Sequence, residues 1–93
     1  MTSRSVRILD RLVAANPEAL TLDGMDEALV GIGGPFNNVL AIYDRAVLVV
    51  ILRHGGLTED EALEYIDFNI SGAYVGKHTP IIAEFFTINE NAL

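Results

Sequence analysis

The sequence predicts a single α+β domain with the element order α-β-β-α-α-β, in which helices pack against a three-stranded antiparallel sheet. Two observations predict this class. Apolar residues recur at helical spacing near the N-terminus and again after residue 58, whereas short apolar runs bounded by Gly, Pro and Asn lie between them. The chain has 93 residues, which is the length of a single domain. We expect an N-terminal helix over 3–15, an α+β core over 28–86 and a tail over 87–93.

The first element is an amphipathic helix. Its apolar side carries Val6, Ile8, Leu9, Leu12 and Val13. Its opposite side carries three arginines at spacings of three and four residues: Arg4, Arg7 and Arg11. Ser3 or Ser5 is the candidate cap. The helix ends at Asn16-Pro17, because a residue before proline is pushed out of helical geometry.

Two strands are predicted next, over 28–33 and 39–43. The first is short, apolar and interrupted by glycines. Between the two strands stand Gly-Gly-Pro at 33–35 and Asn-Asn at 37–38, which are strong turn signals. The two strands therefore form a predicted hairpin.

The segment 46–52 is continuously apolar and rich in β-branched residues, which would suit a buried strand. Against that, Asp44 is a candidate N-cap, Arg53 and His54 suit a helix C-terminus, and Gly-Gly follows at 55–56. We therefore predict a helix. Because it is apolar nearly all round, we expect it either in a central position under the sheet or at the seam of a homodimer.

A third helix begins at a capping box, in which Thr58 is the cap and Glu61 follows three residues later. Its predicted core face carries Ala62, Leu63, Ile66, Ile70, Ala73 and Tyr74. The opposite stripe carries Asp60, Glu64, Asp67 and Ser71, with Phe68 beside it. A third strand is predicted from Thr79-Pro80 through residue 86.

Composition excludes several classes of function. The chain has no cysteine, which removes disulfides, zinc–thiolate sites and thiol nucleophiles and favours the cytoplasm. Its net charge of −7 argues against direct nucleic-acid binding and suits a partner with a basic surface. The N-terminus lacks the apolar region of a signal peptide, and the longest apolar run is too short for a membrane span.

The segments that resemble phosphate-binding and dinucleotide-binding loops both depart from the residue spacing that those loops require. The segment 72–79 resembles a phosphate-binding loop, but it has three residues between its glycines where four are needed, and His78 separates Lys77 from Thr79. The glycines at 31–34 lack the third glycine of a dinucleotide loop. Three acidic residues on an exposed helix face are usually solvated and hold no cation. We therefore predict no catalytic residue, no metal site, no cofactor and no enzymatic activity.

Two charged surfaces remain as candidates for partner binding. One is the arginine stripe of the first helix, Arg4, Arg7 and Arg11. The other is the acidic stripe of the third helix with its neighbouring aromatic residue, Asp60, Glu64, Asp67 and Phe68. Small proteins often bind a partner through a surface that combines charged residues with an aromatic anchor.

From residue 22 onward the chain resembles a family of small, mostly uncharacterised proteins of tailed phages and prophages. The matching stretches are LDGMDEALVG over 22–31, VLAIYD over 39–44 and GLTEDEALEYIDFNISGAYVG over 56–76, with Thr79-Pro80 in register. The resemblance implies a phage origin and a helix over 45–54, where this chain has apolar Val47, Val49 and Val50 in place of charge. It implies structural roles for Asp44 as a helix cap, Asn69 as a helix-face hydrogen-bonding residue, Tyr74 in the core and Thr79 at a strand start.

These observations favour a non-enzymatic acidic binding protein that docks on a host protein and modulates it, for example as an inhibitor of host defence of the anti-CRISPR kind. The partner would be a host protein, such as a nucleic-acid-handling complex with a basic surface. One alternative is a small-ligand or nucleotide-binding protein, such as a sponge for a signalling nucleotide, that uses the 72–79 turn or the arginine stripe. Another is a virion or assembly component.

Overall fold

The computed structural model describes residues 3–72, 74–86 and 91. Its elements are α1 (Ser3–Ala15), a 3₁₀ turn (Asp26–Ala28), β1 (Leu29–Gly33), β2 (Leu40–Asp44), α2 (Arg45–His54), α3 (Glu59–Tyr65), a π-helical segment (Ile66–Ser71) and β3 (Ile81–Ala83). The class is therefore α+β, and the predicted order α-β-β-α-α-β is confirmed. Ala73 and the predicted tail over 87–93, apart from Asn91, lie outside the described residues.

The sheet has the order β1-β2-β3 and is mixed, so the prediction of a purely antiparallel sheet is wrong. β1 and β2 form the predicted antiparallel hairpin, with a bulge between Leu29 and Gly31. β3 runs parallel to β2, and Ile42 pairs with Ile81. The reason lies in the connection. The chain between β2 and β3 contains α2, α3 and the π-helical segment, and such a helical crossover returns the chain to the end of the sheet where β2 began.

The helices cover one face of this sheet. The large side chains that are fully buried come from α1, β1, β2, α2 and the π-helical segment: Leu12, Leu29, Tyr43, Leu48 and Ile66. Tyr43 is the largest of them, and its hydroxyl accepts a hydrogen bond from the backbone N–H of Leu22 at 2.9 Å. Burial raises the pKa of the Tyr43 hydroxyl, so it remains a neutral, bonded group within the core.

α1 is rotated relative to its predicted orientation. The stripe that faces the core contains Leu12 and Ser5, which are both fully buried, while Val6 and Val13 are exposed. Ser5 lies seven residues before Leu12, which is two helical turns, so the two residues share one side of the helix. Ser5 is therefore a buried helix residue and not the cap. The predicted end of the helix is confirmed, since α1 stops at Ala15.

α2 is a helix, as predicted, and Asp44 caps it by accepting a hydrogen bond from the backbone N–H of Ala46 at 2.9 Å. The predicted central position is wrong. Only Leu48 is fully buried, and Val50 on the outer side is 49% exposed. The helix packs against the sheet and α3 on one side because three strands and two short helices cannot surround it. The homodimer stays a prediction.

The capping box of α3 is confirmed in both directions. The Thr58 hydroxyl accepts from the backbone N–H of Glu61 at 3.2 Å, and Glu61 Oε1 accepts from the backbone N–H of Thr58 at 2.9 Å. These two bonds satisfy two N–H groups that have no partner within the helix. The bond from the Thr58 backbone holds the pKa of Glu61 below its usual value.

Replacing the cap should destabilise the protein measurably. Thr58→Ala is expected to lower the free energy of unfolding by about 1 kcal/mol, because the N–H of Glu61 loses its acceptor. Thr58→Ser is the control, since it keeps a hydroxyl at the same position. Urea unfolding followed by circular dichroism measures the difference, and equal stability of the two variants would contradict the assignment.

Glu61 should also make stability depend on pH at the acidic end. Its pKa is lower in the folded chain than its ordinary value of 4.5. Its contribution is therefore fully present above pH 4.5 and is lost as the pH falls through the folded-state pKa. Glu61→Gln keeps an acceptor without a charge and should weaken the acid-side decline in unfolding free energy. An unchanged pH profile would show that Glu61 contributes nothing to this decline.

Candidate protein-docking surfaces

Most aromatic side chains of this chain face solvent. Of its four Phe and three Tyr residues, only Tyr43 is buried. The exposed ones are Phe36, Tyr65, Phe68, Tyr74, Phe85 and Phe86. Isolated apolar residues on a surface are ordinary, but aromatic residues are the side chains that most often anchor protein–protein interfaces. The distribution of aromatic residues therefore favours a protein-binding surface over an enclosed ligand site.

Phe68 lies in the π-helical segment and is 74% exposed. The predicted stripe beside it is exposed too. We call Asp60, Glu64, Asp67 and Phe68 the Phe68 face. Asp67 accepts a hydrogen bond from the Arg45 guanidinium at 2.7 Å, which ties the segment to the start of α2. This contact leaves Asp60 and Glu64 to provide the unneutralised charge of the face.

The π-helical geometry holds the backbone next to Phe68 in place. The backbone N–H of Gly72 donates to the carbonyl of Asp67, five residues earlier, at 3.0 Å. A Cβ at position 72 would lie 2.7 Å from that carbonyl oxygen, so only glycine fits there without a shift of the backbone. The wide π turn was not predicted, because the sequence pattern of a helix does not distinguish five-residue from four-residue hydrogen bonding.

The sheet face opposite the helices is apolar. Because side chains alternate along a strand and Tyr43 packs in the core, its neighbour Ile42 points to the opposite side. Ile42 pairs with Ile81, so these two residues lie side by side on this outer sheet face. A hollow of about 220 Å³ opens there, lined by Val30, Gly31, Ile42, Asp44 and Phe85. Sheet faces that meet only water usually carry several polar residues, whereas Asp44 is the only polar side chain among the described residues that line this hollow.

The Phe68 face and the outer sheet face meet near one ion pair. Arg45 follows directly after Asp44, which lines the hollow together with Phe85. Arg45 in turn binds Asp67, the residue next to Phe68. The ion pair thus connects the segment that carries Phe68 to the residue that follows Asp44 at the hollow.

The arginine stripe divides into two parts. The Arg4 guanidinium donates to the carbonyl of Glu27 at 3.1 Å and so fastens α1 to the 3₁₀ turn. Arg7 and Arg11 line an open groove of about 790 Å³ between α1 and β1, which we call the α1–β1 groove. Its lining residues are Arg7, Ile8, Asp10, Arg11, Ala14, Ala15, Gly31 and Ile32. Sequence reasoning missed this groove because it depends on how α1 packs against β1.

Residues 75–79 of the segment that resembles a phosphate loop form a turn that closes on itself. The Thr79 hydroxyl donates to the carbonyl of Gly76 at 2.6 Å and accepts from the backbone N–H of Val75 at 3.0 Å. The N–H of Val75 therefore points at Thr79, where a phosphate loop would offer it to a ligand. The strand starts at Ile81, so the prediction of Thr79 as a strand start is wrong. Its hydroxyl is used to close the turn, which delays the strand.

The prediction that Tyr74 packs in the core is also wrong, because Tyr74 is exposed. The helix ends at Ser71, so Tyr74 no longer follows the wheel that placed it beside Ile70. Asn69 is exposed and lines a second hollow of about 250 Å³ with Ile70 and Thr79. Its helix-face hydrogen bond stays a prediction.

A polar cluster joins three loops and was not predicted. The Asn16 side-chain amide donates to the carbonyl of Val39 at 2.8 Å and lies 3.3 Å from His78 Nδ1. Because the amide NH₂ can only donate, His78 Nδ1 accepts from it, and His78 Nε2 lies 3.3 Å from Glu18 Oε2. Asn38 adds a bond to the carbonyl of Lys77 at 2.7 Å. Both ring nitrogens of His78 are thus engaged by the chain itself, and the cluster fastens loops together.

The described part of the chain has neither a metal-binding cluster nor a membrane-spanning helix. Across residues 3–72, 74–86 and 91, no three His, Asp or Glu side chains converge to form a metal site. No helix in these ranges has the length and apolar character needed to cross a membrane. Comparison with family models, with curated proteins and with solved structures gives no match to this chain.

Proposed function

We propose that this chain is a non-enzymatic binding protein that docks on a partner protein through the Phe68 face. The observation that carries the proposal is the position of Phe68: an exposed aromatic ring on a backbone held by the Gly72 and Arg45 contacts, with Asp67 before it in sequence and the exposed Asp60 and Glu64 on the preceding helix. A rigid aromatic ring loses little conformational entropy on binding. Covering a Phe side chain contributes about 1.5–3 kcal/mol.

The partner should present a basic surface around an apolar pocket. Asp60 and Glu64 are exposed beside Phe68, and the whole chain carries a net charge of −7. Complementary charge accelerates association and selects against acidic partners. The ion pair of Arg45 with Asp67 lets the contact continue to Phe85 and the outer sheet face, which enlarges the area available for a stable complex.

The setting of this activity is proposed from the resemblance to small phage and prophage proteins. Such a protein would work in the cytoplasm of the host cell against a host protein. Machinery that handles nucleic acids has the basic surfaces that an acidic aromatic face fits. Inhibition of host defence, in the manner of an anti-CRISPR protein, is the concrete form that we propose.

Substituting Phe68 should abolish docking without unfolding the chain. We expect the tagged wild-type protein to capture one stoichiometric partner from host lysate. The amount captured by Phe68→Ala should be at least tenfold lower, because burial of the ring contributes about 1.5–3 kcal/mol to binding. Phe36→Ala is the matched control: the same change at a fully exposed phenylalanine in the hairpin turn. Quantitative mass spectrometry of the captured material measures the difference. Equal capture by the two variants, or no stoichiometric partner, would overturn the proposal.

A further inference from the structure

The α1–β1 groove has the layout of a site for one added strand. β1 stands at one end of the strand order, and no strand pairs with its outer edge among the residues that the structure describes. α1 packs over this edge and turns Arg7, Arg11 and Ala14 toward it. We infer that this groove binds an extended acidic segment of a partner protein, which adds to β1 as a further strand beneath α1.

The backbone of β1 can be approached closely. The outer edge of an edge strand presents N–H and C=O groups that have no ladder partner, and an incoming strand can bond to them. Gly31 has no side chain, and a Cβ built on it would meet no heavy atom within 4 Å, so nothing above this part of the strand obstructs a chain that pairs with its edge. Ile8, Ala15 and Ile32 provide apolar contacts along the same groove. These features suit an extended chain better than a compact ligand.

The charges of the groove select an acidic occupant. Arg7 and Arg11 stand one helical turn apart, which is about 6 Å along α1. Side chains on one face of a strand repeat at about 6.8 Å. An added strand with acidic residues at alternate positions could therefore place one carboxylate near each guanidinium. Asp10 also lines the groove, so its three charged lining residues carry a net charge of about +1, which still favours an acidic occupant.

This site is separate from the Phe68 face and goes beyond the proposed function. Its ligand has the opposite charge from the basic partner proposed above, and it shares no residue with the Phe68 face and only Gly31 with the hollow of the outer sheet face. A negative result at one surface therefore leaves the other unaffected.

Fluorescence polarisation with a labelled probe peptide tests the inference. The probe is Ala-Val-Glu-Ile-Glu-Val-Ala, compared with the same peptide carrying Lys for Glu and with a version N-methylated along the edge that would face β1. The protein variants are Arg7→Glu with Arg11→Glu, and a control of equal charge change, Arg53→Glu with Lys77→Glu. Circular dichroism checks that each variant is folded. If the variant with Arg7→Glu and Arg11→Glu is unfolded, the variant with Arg7→Gln and Arg11→Gln replaces it in the assay.

We expect saturable binding of the acidic probe that weakens at least tenfold in the Arg7/Arg11 variant, remains within threefold in the control, and is lost on N-methylation. Hydrogen exchange of the outward β1 amides should slow when the probe binds. No binding at millimolar probe overturns the inference, as do equal losses in both variants or tight binding of the Lys or N-methylated peptide. Sedimentation showing a dimer that the probe dissociates would assign the groove to a second copy of the chain and would also overturn it.

Discussion

Leu48→Ala is expected to lower the free energy of unfolding by about 2–5 kcal/mol. Leu48 is the one fully buried side chain of α2, and it lies in the cluster with Tyr43 and Ile66. Removing three carbons there leaves a cavity that the sheet on one side and the π-helical segment on the other cannot close completely. A small domain has about 5–15 kcal/mol of total stability, so this variant should be close to unfolded at 37 °C.

Val50→Ala provides the control within the same helix. Val50 is half exposed, so its substitution should cost less than about 1 kcal/mol and is partly offset by the higher helix propensity of alanine. Urea unfolding of the two variants gives the comparison. If Val50→Ala proved as costly as Leu48→Ala, the apolar outer side of α2 would be buried in solution, as the predicted homodimer seam requires.

Asn16→Asp is expected to lower the free energy of unfolding by about 1–3 kcal/mol. The substitution keeps the shape of the side chain but replaces a donor with a carboxylate oxygen, 2.8 Å from the carbonyl of Val39 and 3.3 Å from His78 Nδ1. The carbonyl then faces negative charge and has lost its donor. The bond from the N–H of Glu18 to Asn16 Oδ1 survives, so the change isolates the donor function of the amide.

Asn37→Asp makes the same chemical change at an exposed position of the hairpin turn and should leave stability within about 0.5 kcal/mol. Thermal unfolding at neutral pH measures both variants. Equal stability of Asn16→Asp and the wild type would show that the polar cluster does not hold the three loops together.

The elements that the sequence predicted correctly are those that local chemistry decides. Asp44 caps α2 and the Thr58–Glu61 box starts α3, because a cap needs only groups within three residues of each other. The 39–43 and 28–33 runs form the predicted hairpin, since the Gly, Pro and Asn residues between them favour a turn over a continued strand. The exposure of Phe68 followed from its position beside the acidic stripe.

The features that the sequence did not predict depend on contacts between distant residues. The direction of β3 is decided by the path of the 45–80 connection, which no local pattern encodes. The core-facing stripe of α1 includes Ser5, although serine resembles a surface residue by type alone. The α1–β1 groove brings together residues that are far apart in the sequence, such as Ile8 and Ile32. Asn16 and His78 are in contact although they are 62 positions apart.

Site-specific photo-crosslinking tests the docking role of the Phe68 face most directly. Replacing Phe68 with benzoylphenylalanine puts a reactive ring at the centre of the proposed contact, and the same replacement of Phe36 gives an equally exposed control. After irradiation in host lysate, we expect one discrete crosslinked band from position 68 that disappears when Asp60 and Glu64 are both changed to Lys. Crosslinking of the same protein from position 36 with equal yield, or no discrete band from position 68, would contradict it.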